Sequence, residues 1–269
     1  MPTNISWVNN PDGTKGETLN VNAGCTKCSP GCRYCYAEQW SMRLKAMGQP
    51  AYQDVVDHTG WTGVVTCRPD QLEKVKHWRK EQLVFVNSMS DLFHPDVPFE
   101  FIDKVMIVIK KYPQHTFKIL TKRVKRMAQF FSAWQDYPYP DNIHHGVSIC
   151  TQSEADEKIP ILLSIPSAFR FVSFEPLLEY IDIVKKPWYG DWDAYNAIGW
   201  LEQIIIGCER RISNVAGQGQ DVFIEAAESL IEQADKADVK VHVKQVPIDG
   251  KVETDIKKFP KELQRRDTP

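Results

Sequence analysis

Gly24-Cys25-Thr26-Lys27-Cys28-Ser29-Pro30-Gly31-Cys32-Arg33-Tyr34-Cys35-Tyr36 is the stretch that organises the rest of the chain. It follows a short apolar run, Thr18 to Val21, and leads into a segment with Tyr36, Trp40, Leu44 and Met47 at helical spacing. Four of the seven cysteines fall between Cys25 and Cys35, while Cys67, Cys150 and Cys208 are scattered. In a reducing compartment such clustering points to metal rather than to disulfides. Three thiolates this close, as in Cys28-x3-Cys32-x2-Cys35, can hold three irons of a [4Fe-4S] cubane and leave the fourth iron open for chemistry. Pro30 and Gly31 suit the tight turns of a loop wrapped round a cluster. The competing reading is a tetrahedral zinc site closed by Cys25, Cys28, Cys32 and Cys35, although zinc ribbons usually bring two Cys-x2-Cys knuckles from separate places.

Outward from this loop, short apolar β-branched runs alternate with amphipathic stretches, the pattern of βα units. The spacing predicts strands at Thr18 to Val21, Leu83 to Val86, Thr116 to Leu120, His145 to Ile149, Phe169 to Ser173, Gln203 to Ile206 and Val239 to Val243. They are nearly all apolar, as buried parallel strands are. Helices are expected from Tyr36 to Met47, around Phe101 to Ile109, from Val124 to Trp134, from Glu154 to Leu163 despite Pro160, and from Phe223 to Ala234. The expected fold is α/β, a partial (β/α) barrel of about six or seven mostly parallel strands, with ligands at the carboxyl ends of the strands. One domain over residues 1–269 is expected, with irregular insertions at about 49–80 and 185–200.

Composition excludes the extreme classes. The hydrophobic share is 42% and the charged share 25%, ordinary for a globular protein. Lys+Arg 33 against Asp+Glu 35 gives a net charge of -2, which argues against a protein that coats nucleic acid but leaves room for a local basic groove. No window reaches the apolar length of a membrane span, and the first residues lack the basic-then-apolar layout of a signal peptide. A cytoplasmic location is expected, with no membrane partner.

With its aromatic Tyr34 just before the third cysteine, the pattern Cys28-x3-Cys32-x-Tyr34-Cys35 after a first strand resembles the radical S-adenosylmethionine superfamily. The resemblance implies a [4Fe-4S] cluster whose open iron binds the amino and carboxylate groups of S-adenosylmethionine, with Tyr34 near the adenine. It also implies one electron from a donor such as flavodoxin or ferredoxin, and release of methionine and a 5'-deoxyadenosyl radical. Gly24-Cys-Thr-Lys, Cys35-Tyr-Ala-Glu, Val86-Asn-Ser-Met-Ser-Asp-Leu-Phe-His, Ile119-Leu-Thr-Lys-Arg, Gly146-Val-Ser and Phe171-Val-Ser-Phe-Glu-Pro-Leu-Leu are similar to a family frequent in bacteriophages and prophages. Its three cysteines correspond to Cys25, Cys32 and Cys35, and it commonly has an apolar residue at position 28. The third ligand is therefore either Cys25 or Cys28. Where relatives continue with two glycines, Glu, Ser and Gly, this chain has Gly207-Cys-Glu-Arg-Arg-Ile, which points to a different substrate or a local anion site.

Polar residues recur at the predicted carboxyl ends of the strands: Asn87, Ser88, Ser90 and Asp91, then Thr121, Lys122 and Arg123, then Ser148, Glu175 and Glu209. For S-adenosylmethionine, Asp91 or Ser88 suits the ammonium, Lys122 or Arg123 with Ser148 suits the carboxylate, and Glu175 or Glu209 suits a hydroxyl or the substrate. Such acids also serve as helix caps or surface ion pairs, and Lys125 and Arg126 read as a solvated helix face. His94, His144 and His145 are proton shuttles or satisfied structural histidines. Cys150 and Cys208 are candidate hydrogen-atom donors, against the plainer reading of core thiols. The functional expectation is a radical enzyme acting on a nucleic acid or nucleotide; the alternative is a zinc- or cluster-stabilised module that binds nucleic acid or protein without turnover.

Overall fold

The computed structural model describes residues 2–134, 139–184, 199–209 and 220–267. Its strands are β1 (Glu17–Leu19), β2 (Leu83–Val86), β3 (Thr116–Thr121), β4 (Ile143–Ser148), β5 (Phe169–Phe174), β6 (Gln203–Gly207), β7 (Lys240–Ile248) and β8 (Lys251–Glu253). The helices are α1 (Tyr36–Ala46), α2 (Phe99–Lys111), α3 (Val124–Ala133), α4 (Gln152–Ser164) and α5 (Gln220–Lys236). The chain adopts the expected α/β class, a partial (β/α) barrel of mostly parallel strands, with eight sheet strands instead of six or seven. The eighth, short β8, pairs antiparallel to β7, Val246 facing Glu253.

The backbone divides into two compact units, Met1–His145 with Pro166–Ala168, and Gly146–Ile165 with Phe169–Pro269. In the first, β1, β2 and β3 are parallel neighbours, with Glu17 opposite Val84 and Leu83 opposite Thr116. All four side chains of β2 are buried, which explains why the run Leu-Val-Phe-Val lacks alternation. Helix α2 buries Phe101, Ile102, Val105, Met106 and Ile109, one face at helical spacing, and stops before Pro113, whose ring disfavours helical backbone in Tyr112. In the second unit β5, β6 and β7 are parallel, with Gln203 opposite Phe171 and Lys240. Helix α5 buries Phe223, Ala226, Ala227, Leu230, Ile231 and Ala234. Helix α4 is capped by Thr151, whose Oγ1 accepts from the Glu154 amide, while Glu154 Oε2 accepts from the amide of Cys150, the residue before the cap, at 2.7 Å.

The expected insertion at 49–80 is more ordered than its composition suggests. It contains 3-10 helices at Pro50–Tyr52 and Pro69–His77, and Val56–Asp57 pairs with Gly60–Trp61. Thr66–Cys67 pairs antiparallel with Asn22–Ala23, immediately before the cysteine loop. Tyr52, Val55 and Val56 pack with Ala23, Ala37 and Met89, so this segment covers the loop and the start of α1. The second insertion, expected at 185–200, lies outside the described residues from 185 to 198, as do Arg210 and Arg211. No helix among the described residues is long and apolar enough to cross a membrane.

Candidate metal centre

The cysteine loop leaves the carboxyl end of β1, and its entry is fixed by asparagines. Asn87, held at a positive φ of 62°, accepts from the Val21 amide at 2.8 Å through Oδ1 and donates through Nδ2 to Asn22 Oδ1. Asn20 Oδ1 accepts from the Met89 amide at 3.1 Å and from Ser88 Oγ at 3.2 Å. Gly24 is required by geometry: its φ is +91°, and a Cβ there would run into the Val64 carbonyl. After the loop, Tyr36 donates its hydroxyl to the Ser88 carbonyl, and Lys27 reaches buried Glu38 of α1 at 3.1 Å.

Four thiols occupy this loop: Cys32 is buried, Cys25 and Cys35 are half-buried, and Cys28 is exposed. Cys32 is held down to about 5, chiefly by the hydrogen bond from the Cys28 thiol, with the Lys122 charge acting in the same direction. That bond correspondingly pushes Cys28 up. Burial raises Cys25 to about 11 and also raises Cys35. Among the described residues no three His, Cys, Asp or Glu side chains converge as ligands of one ion do. A cubane spreads its thiolates over separate irons, so the donor set fits it in kind: several thiols on one short loop, with Lys122 and Arg123 charges favouring their ionised forms.

Asp91 and Arg123 form the charged centre of this region. Asp91 Oδ1 accepts from Thr121 Oγ1 at 2.7 Å and the Phe93 amide at 2.9 Å, and its Oδ2 accepts from the Lys122 amide at 3.2 Å. Arg123 Nη1 donates to Asp91 Oδ2 at 3.0 Å and lies 3.8 Å from Cys25 Sγ. Its Nη2 donates to both the carbonyl and the hydroxyl of Thr26, each at 2.9 Å. The Asp96 amide points at His94 Nδ1 at 3.2 Å, which makes Nδ1 the acceptor and Nε2 the donor to Thr26 Oγ1 at 2.8 Å. Burial, aided by Arg123, lowers the pKa of this imidazole. Residues following β1, β2 and β3 are thereby joined at the carboxyl ends of three adjacent parallel strands.

The other expected residues divide by unit. Tyr34 is half-buried in the first, with the Arg33 guanidinium 5.2 Å from its ring centroid; Ser88 and Lys122 are also half-buried. Arg126 departs from the expected solvated face: it donates to the Val97 carbonyl at 2.7 Å and stands over the Phe99 ring at 4.3 Å. His145 Nδ1 is 2.8 Å from Ser167 Oγ, and burial lowers His144 to about 3. In the second unit, Ser148 Oγ donates to the Glu175 carbonyl at 3.4 Å, and the Glu175 carboxylate pairs with Lys244. Cys150 and Cys208 are buried, and burial, with the Glu175 charge adding, pushes Cys208 up to about 12. Glu209 is half-buried at the last described position before residue 210.

Sequence reasoning did not single out Thr26, the asparagines Asn20 and Asn22, or Lys244. Two asparagines flanking Val21 directly after an apolar strand are a usable signal, since such residues tie down irregular backbone. A lysine within the apolar run of β7 is another, because it needs a partner when half-buried.

Residues 2–266 match the family described as protein of unknown function (DUF5131). No curated protein sequence matches the chain. Among solved structures, a point variant of spore photoproduct lyase is similar at 8% identity and a TM-score of 0.48, covering 87% of this chain and 76% of that one. With a match spanning nearly its whole length, the chain belongs to the DUF5131 family.

Proposed function

We propose that this protein is a radical S-adenosylmethionine enzyme that binds a [4Fe-4S] cluster on Cys32, Cys35 and either Cys25 or Cys28 and modifies or repairs a nucleic acid or nucleotide. The observation that carries this reading is the thiol loop at the end of β1, joined to the ends of β2 and β3 through Asp91 and Arg123. When bound, the cluster would deliver one electron to S-adenosylmethionine and so release a 5'-deoxyadenosyl radical.

The chain's own residues bind and orient the cofactor. Lys122 is the cation for the cofactor carboxylate, since the Arg123 fork is taken up by Asp91 and Thr26. Ser88 is an acceptor for the ammonium; Asp91 serves it only in competition with Arg123. Tyr34 is the ring for the adenine. Met89, Leu92 and Phe93, beside Ser88 and Asp91 in the chain, are buried and apolar. In the second unit, Ser148, Glu175 and Glu209 are proposed to bind cofactor or substrate, and Cys150 or Cys208 to return a hydrogen atom.

A nucleic-acid substrate is supported by Trp40, 50% exposed with the Arg43 guanidinium 5.1 Å from its ring centroid, a face on which a base can stack. Exposed Lys27, Arg33 and Arg43 also suit docking of an acidic electron donor such as flavodoxin or ferredoxin. Anaerobic reconstitution with iron and sulfide tests the reading. A brown protein absorbing near ~400 nm, which forms 5'-deoxyadenosine with reductant and S-adenosylmethionine, is expected. A colourless protein that retains zinc would establish the binding-module alternative.

A further inference from the structure

We propose that Arg123 is a positioning residue that selects Cys25, over Cys28, as the third thiolate of the metal centre. The inference rests on the cluster reading above and deepens it by naming the ligand and what chooses it. Two cysteines compete for one place, and the structure treats them differently. Residue 26, adjoining Cys25, is held through its carbonyl and hydroxyl by the two 2.9 Å bonds from Arg123 Nη2, and through its hydroxyl again by His94 Nε2 at 2.8 Å. The same guanidinium has Nη1 3.8 Å from Cys25 Sγ, within reach of an N–H···S bond.

Arg123 is itself not free to move away. Asp91 fixes Nη1 at 3.0 Å, and Asp91 is anchored by Thr121 Oγ1 and by the Phe93 and Lys122 amides. Cys25 is therefore presented on a backbone fixed before any metal arrives, beside a donor that favours its thiolate form. Cys28 is exposed and donates its thiol to Cys32; the Arg123 charge acts on it, but the Arg123 hydrogen bonds go to Cys25 and Thr26. A prefixed ligand pays no ordering cost on binding, so Cys25 outcompetes Cys28 although the two have the same chemistry.

The test is cysteine-resolved alkylation of the full chain with iodoacetamide, read by mass spectrometry, on metal-free protein and after anaerobic iron–sulfide reconstitution. In the parent, reconstitution should protect Cys25, Cys32 and Cys35 and leave Cys28 labelled. In Arg123→Met, metal-free Cys25 should label roughly tenfold more slowly, because iodoacetamide reacts with the thiolate and the variant loses the charge-assisted hydrogen bond that favours it. After reconstitution, protection should pass from Cys25 to Cys28. Arg123→Lys, which keeps the charge without the fork, should restore protection of Cys25 in part. Should Arg123→Met be too unstable to purify, Thr26→Val removes the hydroxyl that Arg123 and His94 share and should likewise move protection after reconstitution from Cys25 toward Cys28. Protection of Cys28 with Cys25 labelled in the parent, or unchanged Cys25 labelling in Arg123→Met and unchanged protection in Thr26→Val, would overturn the proposal. A parent that takes up no iron would overturn the cluster reading, while the metal-free labelling rates still decide whether Arg123 holds Cys25.

Discussion

Arg123 Nη1 stands 3.0 Å from Asp91 Oδ2, with the two side chains only 11% and 8% exposed. A pair so withdrawn from water is costly to break, because the remaining charge stays buried without its counterion. Asp91→Ala should therefore destabilise the protein by about 3–5 kcal/mol. Urea unfolding checks this, and a loss below about 1 kcal/mol would place the pair among weak surface contacts.

Among the cysteines, Cys32→Ala and Cys35→Ala should each abolish iron retention, since a cubane held by two thiolates is poorly kept. Cys25→Ala should do the same, while Cys28→Ala keeps its iron. Iron and sulfide assays on the four variants check this; parent-level loading in Cys32→Ala or Cys35→Ala would remove the proposed centre.

Gly24→Ala should unsettle the loop without touching a thiol. Its φ of +91° is unfavourable for alanine, and the new methyl would meet the Val64 carbonyl. A loss of at least about 1–3 kcal/mol is expected, with faster alkylation of the loop cysteines in the metal-free protein. A parent-like melting temperature would show that the turn adapts.

Lys118 gives the stability a pH signature. It is fully buried, its Nζ lies 5.5 Å from the Trp7 ring centroid, and burial lowers it to about 7. The unfolded chain then binds the extra proton throughout the interval from about 10.4 down to about 7. Stability should rise with pH from 7 to 10 on this account and be flat below 7. In Lys118→Met that rise should vanish and stability at pH 7 should increase by a few kcal/mol, on the order of the shift it removes. His144, whose pKa the Lys118 charge helps to lower, should titrate closer to its ordinary value in the same variant. Chemical denaturation across this pH range, with histidine NMR, checks both; an unchanged pH slope would refute the assignment.

The order of strands and helices was legible in the sequence because it rests on local periodicity. Leu83–Val86 and the buried face of α2 declare themselves by apolar spacing alone, and the cysteine cluster marks the candidate site by its density. Strand limits were less legible: β7 runs on to Ile248, and β8 follows it, because pairing with a neighbour extends a strand beyond what its own residues favour. The order within the insertion depends on pairing Thr66–Cys67 with Asn22–Ala23, more than forty residues earlier. The sequence also could not rank Cys25 against Cys28 or assign the role of Arg123, since both depend on Asp91, Thr26 and Arg123 meeting across separations of up to 97 residues. Periodicity and composition act between neighbours in the chain, whereas the orientation of a guanidinium is decided by whichever acceptors the fold brings within about 3 Å.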